Sequence, residues 1–74
     1  AGVNPTLEKK LLDRIHELRA DGYTFLLVEH DMDVIMENCE RIIVMHQGQL
    51  LADGNADDIR TNEQVIDAYL GANV

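Results

Sequence analysis

Four consecutive apolar residues, Phe25-Leu26-Leu27-Val28, run straight into three ionisable ones, Glu29-His30-Asp31. No other stretch limits the fold so strongly. An apolar run that does not alternate suggests a strand buried on both faces, as in the middle of a parallel sheet. The pattern therefore predicts a strand over Tyr23–Glu29. In open α/β sheets, ligands sit outside the carboxyl ends of the strands, so chemistry would be sought first at Glu29, His30 and Asp31. The plain explanation is that polar residues follow any strand where the chain leaves the core, and position alone favours it.

The flanking sequence supplies the other elements. Asn4-Pro5 is a helix-start signal, with Asn as N-cap and Pro at the first helical position. Leu7, Leu11, Leu12, Ile15 and Leu18 then recur at the helical period up to Ala20. His16 falls on the polar side of that helix and reads as an exposed surface histidine. Asp21-Gly22 ends the helix, with Gly22 suited to the left-handed position. Asp31 can cap a short helix to Asn38, lined by Met32, Ile35 and Met36. Arg41–His46 and Gln49–Asp53 read as a β-hairpin about Gln47-Gly48. Two short helices follow, Ala56–Arg60 and Glu63–Leu70, the second with Val65, Ile66, Tyr69 and Leu70 on its buried side, and Gly71 stops it. The expected order is α-β-α-β-β-α-α, with a parallel β-α-β unit from Tyr23 to His46 joined by a right-handed crossover. That crossover is barely long enough for its task.

Composition removes several classes of function. A net charge of −8, from 14 acidic against 6 basic residues, argues against a nucleic-acid surface, which needs clustered Lys and Arg. No apolar stretch approaches a transmembrane length, so no direct membrane insertion is expected and any membrane association would come through a partner. The single cysteine, Cys39, excludes an internal disulfide and reads as a partly buried structural thiol in a reduced setting. At 74 residues the chain is one small domain at most, of marginal independent stability. Its first residue, Ala1, fits a fragment cut from something longer.

Chemistry-bearing constellations are sparse. His30, Asp31 and Asp33 lie together at a helix start, but no second His or Cys falls at ligand spacing, so no metal is expected. Asp53-Gly54-Asn55-Ala56-Asp57-Asp58 has calcium-loop composition without the loop's spacing. Asp57 and Asp58 more simply place negative charge at a helix N-terminus. The chain has no serine and no glycine-rich phosphate loop.

Three segments together resemble the C-terminal part of an ATP-binding cassette transporter ATPase. Val28-Glu29-His30-Asp31-Met32 looks like the family's switch segment (24–33), where a strand delivers a histidine to the ATP γ-phosphate. Ala1-Gly2-Val3-Asn4, followed by Pro5, looks like the D-loop. The hairpin over 41–53 and the helices over 56–70 are similar to the family's closing elements. The blocks occur in the family's order, so the resemblance covers nearly all of the chain. The switch segment, Asn4-Pro5 and the ending Val65-Ile66-Asp67-Ala68-Tyr69-Leu70-Gly71 resemble the branched-chain amino acid importers in particular.

The resemblance implies an α/β fragment of a P-loop NTPase (RecA-like) core that lacks the P-loop strand. It implies that His30 hydrogen-bonds the γ-phosphate and helps place the attacking water. Ala1, Gly2, Val3 and Asn4 would reach across a dimer to the other subunit's nucleotide. Two positions depart from the family's common pattern: Asn4 stands where aspartate is frequent, and Glu29 where many members have threonine. The implied parent uses ATP and magnesium, pairs with a second ATPase subunit and transmembrane permease subunits, and sits at the cytoplasmic face of a bacterial inner membrane. Its phosphate-binding residues would precede Ala1, so the piece alone should neither bind ATP tightly nor hydrolyse it. It should also expose unpaired apolar edges and pack non-natively, remain partly molten or self-associate. Two other readings remain open at this point: an acidic stand-alone module that docks a basic protein, and a signalling domain with a phosphoacceptor acid at a strand end.

Overall fold

A computed structural model describes residues 4–70. In chain order the elements are helix α1 (Pro5–Ala20), helix α2 (Met32–Asn38), strands β1 (Ile42–His46) and β2 (Gln49–Gly54), helix α3 (Ala56–Arg60) and the short helix α4 (Glu63–Val65). The last runs on into a π-helical turn, Ile66–Leu70. The fold is small α/β, with a two-stranded antiparallel sheet among the described residues.

The local signals in the sequence are used as chemistry requires. Asn4 caps α1, its Oδ1 accepting from the Leu7 amide at 2.8 Å, and Pro5 takes the first turn. At the far end the Tyr23 amide donates to the Leu18 carbonyl and the Gly22 amide to that of Arg19. With Gly22 at φ +103°, this is the paired closure that satisfies the last carbonyls of a helix. The hairpin loop is Gln47-Gly48, with both residues at positive φ, the twist that suits tightly joined antiparallel strands. The pairing slips by one residue between Val44 and Met45, which leaves Leu51 as the extra residue of a bulge. Arg41 clamps the open end of the hairpin, its Nε and guanidinium NH2 reaching the two carboxylate oxygens of Asp53 at 3.0 and 2.8 Å. Asn55 and Asp58 cap α3 reciprocally, and Asn62 caps α4.

The core is Ile35, Ile42, Val44, Ile59 and Val65, with Leu27, Met32, Met36, Cys39 and Leu51 packed at its edge. It lies between one face of the hairpin and helices α2, α3 and α4. Along β1 burial alternates: Ile42 and Val44 face in, Ile43 and Met45 face out.

Several expectations are corrected. Residues 23–29 form no strand and no parallel β-α-β unit, so the order is α-α-β-β-α-α rather than α-β-α-β-β-α-α. A strand exists only as a ladder, and no described segment lies beside this one to exchange backbone hydrogen bonds. Nor is the run buried on both faces. Leu27 is half-buried against the core, whereas Leu26 and Val28 are 90 % and 87 % exposed. The apolar stripe of α1 contributes no buried residue. His16, expected on open surface, is half-buried, and its Nε2 lies 2.8 Å from Asn38 Oδ1. The final helix changes to a π-helical turn, and Tyr69 is largely exposed rather than core. The expected stop at Gly71 lies outside the described residues.

Candidate functional site

The polar end of the apolar run is a turn, and its geometry follows from two side chains that reach forward to the amides that follow them. Glu29 Oε1 accepts from the His30 amide at 2.9 Å and from the Asp31 amide at 3.2 Å. These bonds to two backbone N–H groups hold its carboxyl below the ordinary glutamate value, with the neighbouring His30 adding to the effect. Two residues further on, Asp31 Oδ1 accepts from the amides of Asp33 and Val34 and so caps α2. Negative charge at that helix start also matches the helix dipole.

Between these two carboxylates sits His30. Its side chain is 77 % exposed, while that of Glu29 is only 21 % exposed. The His30 Nε2 stands 3.7 Å from Glu29 Oε1, close enough for attraction once the ring is protonated and too far for a hydrogen bond. The imidazole therefore projects into open space as one available hydrogen-bonding group on an otherwise acidic turn. The amides of His30, Asp31, Asp33 and Val34 already have carboxylate partners. With so many of its donors engaged, the turn cannot cradle a phosphate chain by itself. Among the described residues, no group of three or more His, Cys, Asp and Glu is gathered as for a metal ion.

The remaining sequence-derived candidates are not brought to this turn. Ala1, Gly2 and Val3 lie outside the described residues. Asn4 is engaged as the cap of α1, and no hydrogen bond links it to His30 among the described residues. Cys39 is half-buried at the end of α2, and burial pushes its thiol up. Sequence reasoning missed the reach of Glu29 to the next two amides. A glutamate directly before a His-Asp pair at a helix start was the available signal, because its carboxylate can reach the free amides there.

Comparison with known proteins adds what geometry cannot. Residues 49–74 match a family described as branched-chain amino acid ATP-binding cassette transporter. Across nearly the whole chain, the sequence is 43 % identical over 72 residues to the "Probable branched-chain amino acid transport ATP-binding protein LivG" of Archaeoglobus fulgidus. It is 49 % identical over 72 residues to the high-affinity branched-chain amino acid transport ATP-binding protein LivG of Escherichia coli. To its counterpart BraF of Pseudomonas aeruginosa the identity is 46 % over 72 residues. The chain is a relative of the branched-chain amino acid transport ATP-binding proteins. These alignments cover 96–97 % of this chain and 28 % of each relative, so the chain spans somewhat over a quarter of their length.

Proposed function

We propose that this chain is part of the ATP-hydrolysing subunit of an importer for branched-chain amino acids. The carrying observation is likeness to ATP-binding proteins of that transport over nearly all of its residues. In this reading His30 is the switch histidine and gives one hydrogen bond to the terminal phosphate of ATP. Phosphoryl transfer depends on positioning and on electrostatic stabilisation of spread negative charge. An exposed imidazole at the end of an apolar segment suits both. ATP and magnesium would be held chiefly by residues of the longer protein, of P-loop NTPase type, since most amides of the turn here are already engaged by carboxylates. Ala1, Gly2, Val3 and Asn4 would form the D-loop that reaches a second ATPase subunit. The subunit would sit at the cytoplasmic face of the membrane through its permease partners. No described helix is long and apolar enough to cross a membrane, which fits attachment through partners.

Surface area supports the place of the segment in something larger. The chain exposes 5922 Å², whereas a folded monomer of its mass exposes about 4,600 Å². Leu26, Val28 and, on the outer face of β1, Ile43 and Met45 are among the exposed apolar side chains.

In the full-length subunit, His30→Ala is expected to lower ATP hydrolysis about a hundredfold or more while nucleotide binding persists. Wild-type turnover in that variant would defeat the switch assignment. Titration calorimetry of the 74-residue chain with Mg-ATP is expected to show no binding at millimolar nucleotide, roughly the level at which a single exposed contact fails.

A further inference from the structure

The reading above uses His30 and leaves Glu29 without a task, yet Glu29 makes the more constrained contacts. Its Oε1 accepts from the amide of His30 and from that of Asp31. The same oxygen is the carboxylate atom nearest the His30 ring, at 3.7 Å from Nε2. One atom thus touches the backbone before the His30 side chain, the backbone after it, and the ring's own surroundings. Holding a glutamate in that folded-back conformation costs rotamer freedom, so the bonds that hold it must outweigh that cost. Bonds from N–H to an ionised carboxylate are the stronger kind.

The location makes the contact consequential. Among the described residues, no strand ladder pairs with 23–29 to fix their direction. The next ordered element, α2, begins at Met32. The orientation of His30 is decided in the short turn between them. Asp31 fixes the turn to α2; Glu29 fixes it to the incoming segment. With Glu29 half-buried and His30 exposed, the carboxylate faces the protein while the imidazole faces away.

We infer that Glu29 is a positioning residue for His30, its carboxylate locking the turn that presents the imidazole outward. The inference rests on the assignment of His30 as the phosphate-contacting group. Glutamine in place of Glu29 can accept the same two bonds through its amide oxygen; alanine cannot.

The full-length subunit, labelled with nitrogen-enriched histidine, tests this in two ways. In the amide spectrum, the His30 proton is expected to shift with a carboxylate titration centred below the ordinary glutamate range, and Glu29→Gln is expected to abolish that shift. No shift overturns the inference, and so does a shift that persists in Glu29→Gln, since it would then belong to Asp31. In steady-state kinetics, Glu29→Ala is expected to lower kcat about tenfold with the KM for ATP unchanged, while Glu29→Gln retains most of the wild-type rate. Wild-type kcat in Glu29→Ala, or equal loss in both variants, overturns it. If His30→Ala lowers turnover but Glu29→Ala does not, only this inference falls. If His30→Ala turns over like wild type, the assignment of His30 falls and takes this inference with it.

Discussion

The two halves of this chain have similar apolar sequences and very different packing. From Ile35 onward, every core position comes from elements that neighbour each other in the chain, and Ile59 and Val65 are almost fully buried, at 1 % and 0 % exposure. Before it, α1 buries nothing completely, and the apolar run over 25–28 leaves Leu26 at 90 % exposure. Hairpins and short helices cover one another with neighbours only a few residues away. A strand of parallel type needs a partner from elsewhere. The difference teaches that apolar content sets the demand for burial, while the availability of a partner decides whether it is met. Helix α1 is attached to the rest mainly by polar links, His16 to Asn38 and Arg19 to Glu40, the latter pair at 2.6 Å. Exposed ion pairs of that kind contribute little.

The contrast can be broken by substitution in each half. Ile59→Ala is expected to destabilise the domain by about 2–4 kcal/mol through the cavity it leaves, while Leu26→Ala should change stability by no more than about 0.5 kcal/mol. Denaturant unfolding of the two variants, each against wild type, measures both. Similar losses in both would mean that the run around Leu26 is packed in solution.

A smaller effect sharpens the account of the ordered half. At Gly54 an added Cβ would lie 2.6 Å from Asp58 Oδ2 and 2.7 Å from Asp58 Cβ. Asp58 is fixed there by the reciprocal cap with Asn55. Gly54→Ala is therefore expected to cost about 1–3 kcal/mol by forcing the cap apart, read as a lowered Tm. Removing the whole Asp58 side chain first, with Asp58→Gly, should shrink that penalty; an unchanged penalty would place the strain elsewhere.

The smallest effect concerns acid. The side-chain hydrogen bonds from Arg41 hold the Asp53 carboxyl below its ordinary value and raise the guanidinium. A depressed carboxylate contributes its stability above the unfolded-state value and loses it as pH falls through the lowered folded-state value. Hairpin stability should accordingly decline as the pH drops below the ordinary aspartate range, and Asp53→Asn should flatten that decline. An identical acid profile in Asp53→Asn would remove the pair from the account.

Much of the local structure in both halves was legible in advance, because its signals are local. Gln47-Gly48 forms the tight loop, Asn4 and Asp31 cap the helices they precede, and Gly22 closes α1, all through contacts within a few residues. At the candidate site the histidine was legible and its setting was not. The sequence marks His30 as the polar end of an apolar run. It does not reveal that Glu29 reaches the next two amides, since that depends on the backbone path of a turn.

The sequence by itself determined where helices start and stop, where the hairpin bends and which residues seek burial, because caps, turn conformations and periodicity act over a few residues. Only the tertiary structure decided which apolar residues found cover. Burial needs a surface on the other side, and for Phe25-Leu26-Leu27-Val28 the described chain covers one face and leaves the other open.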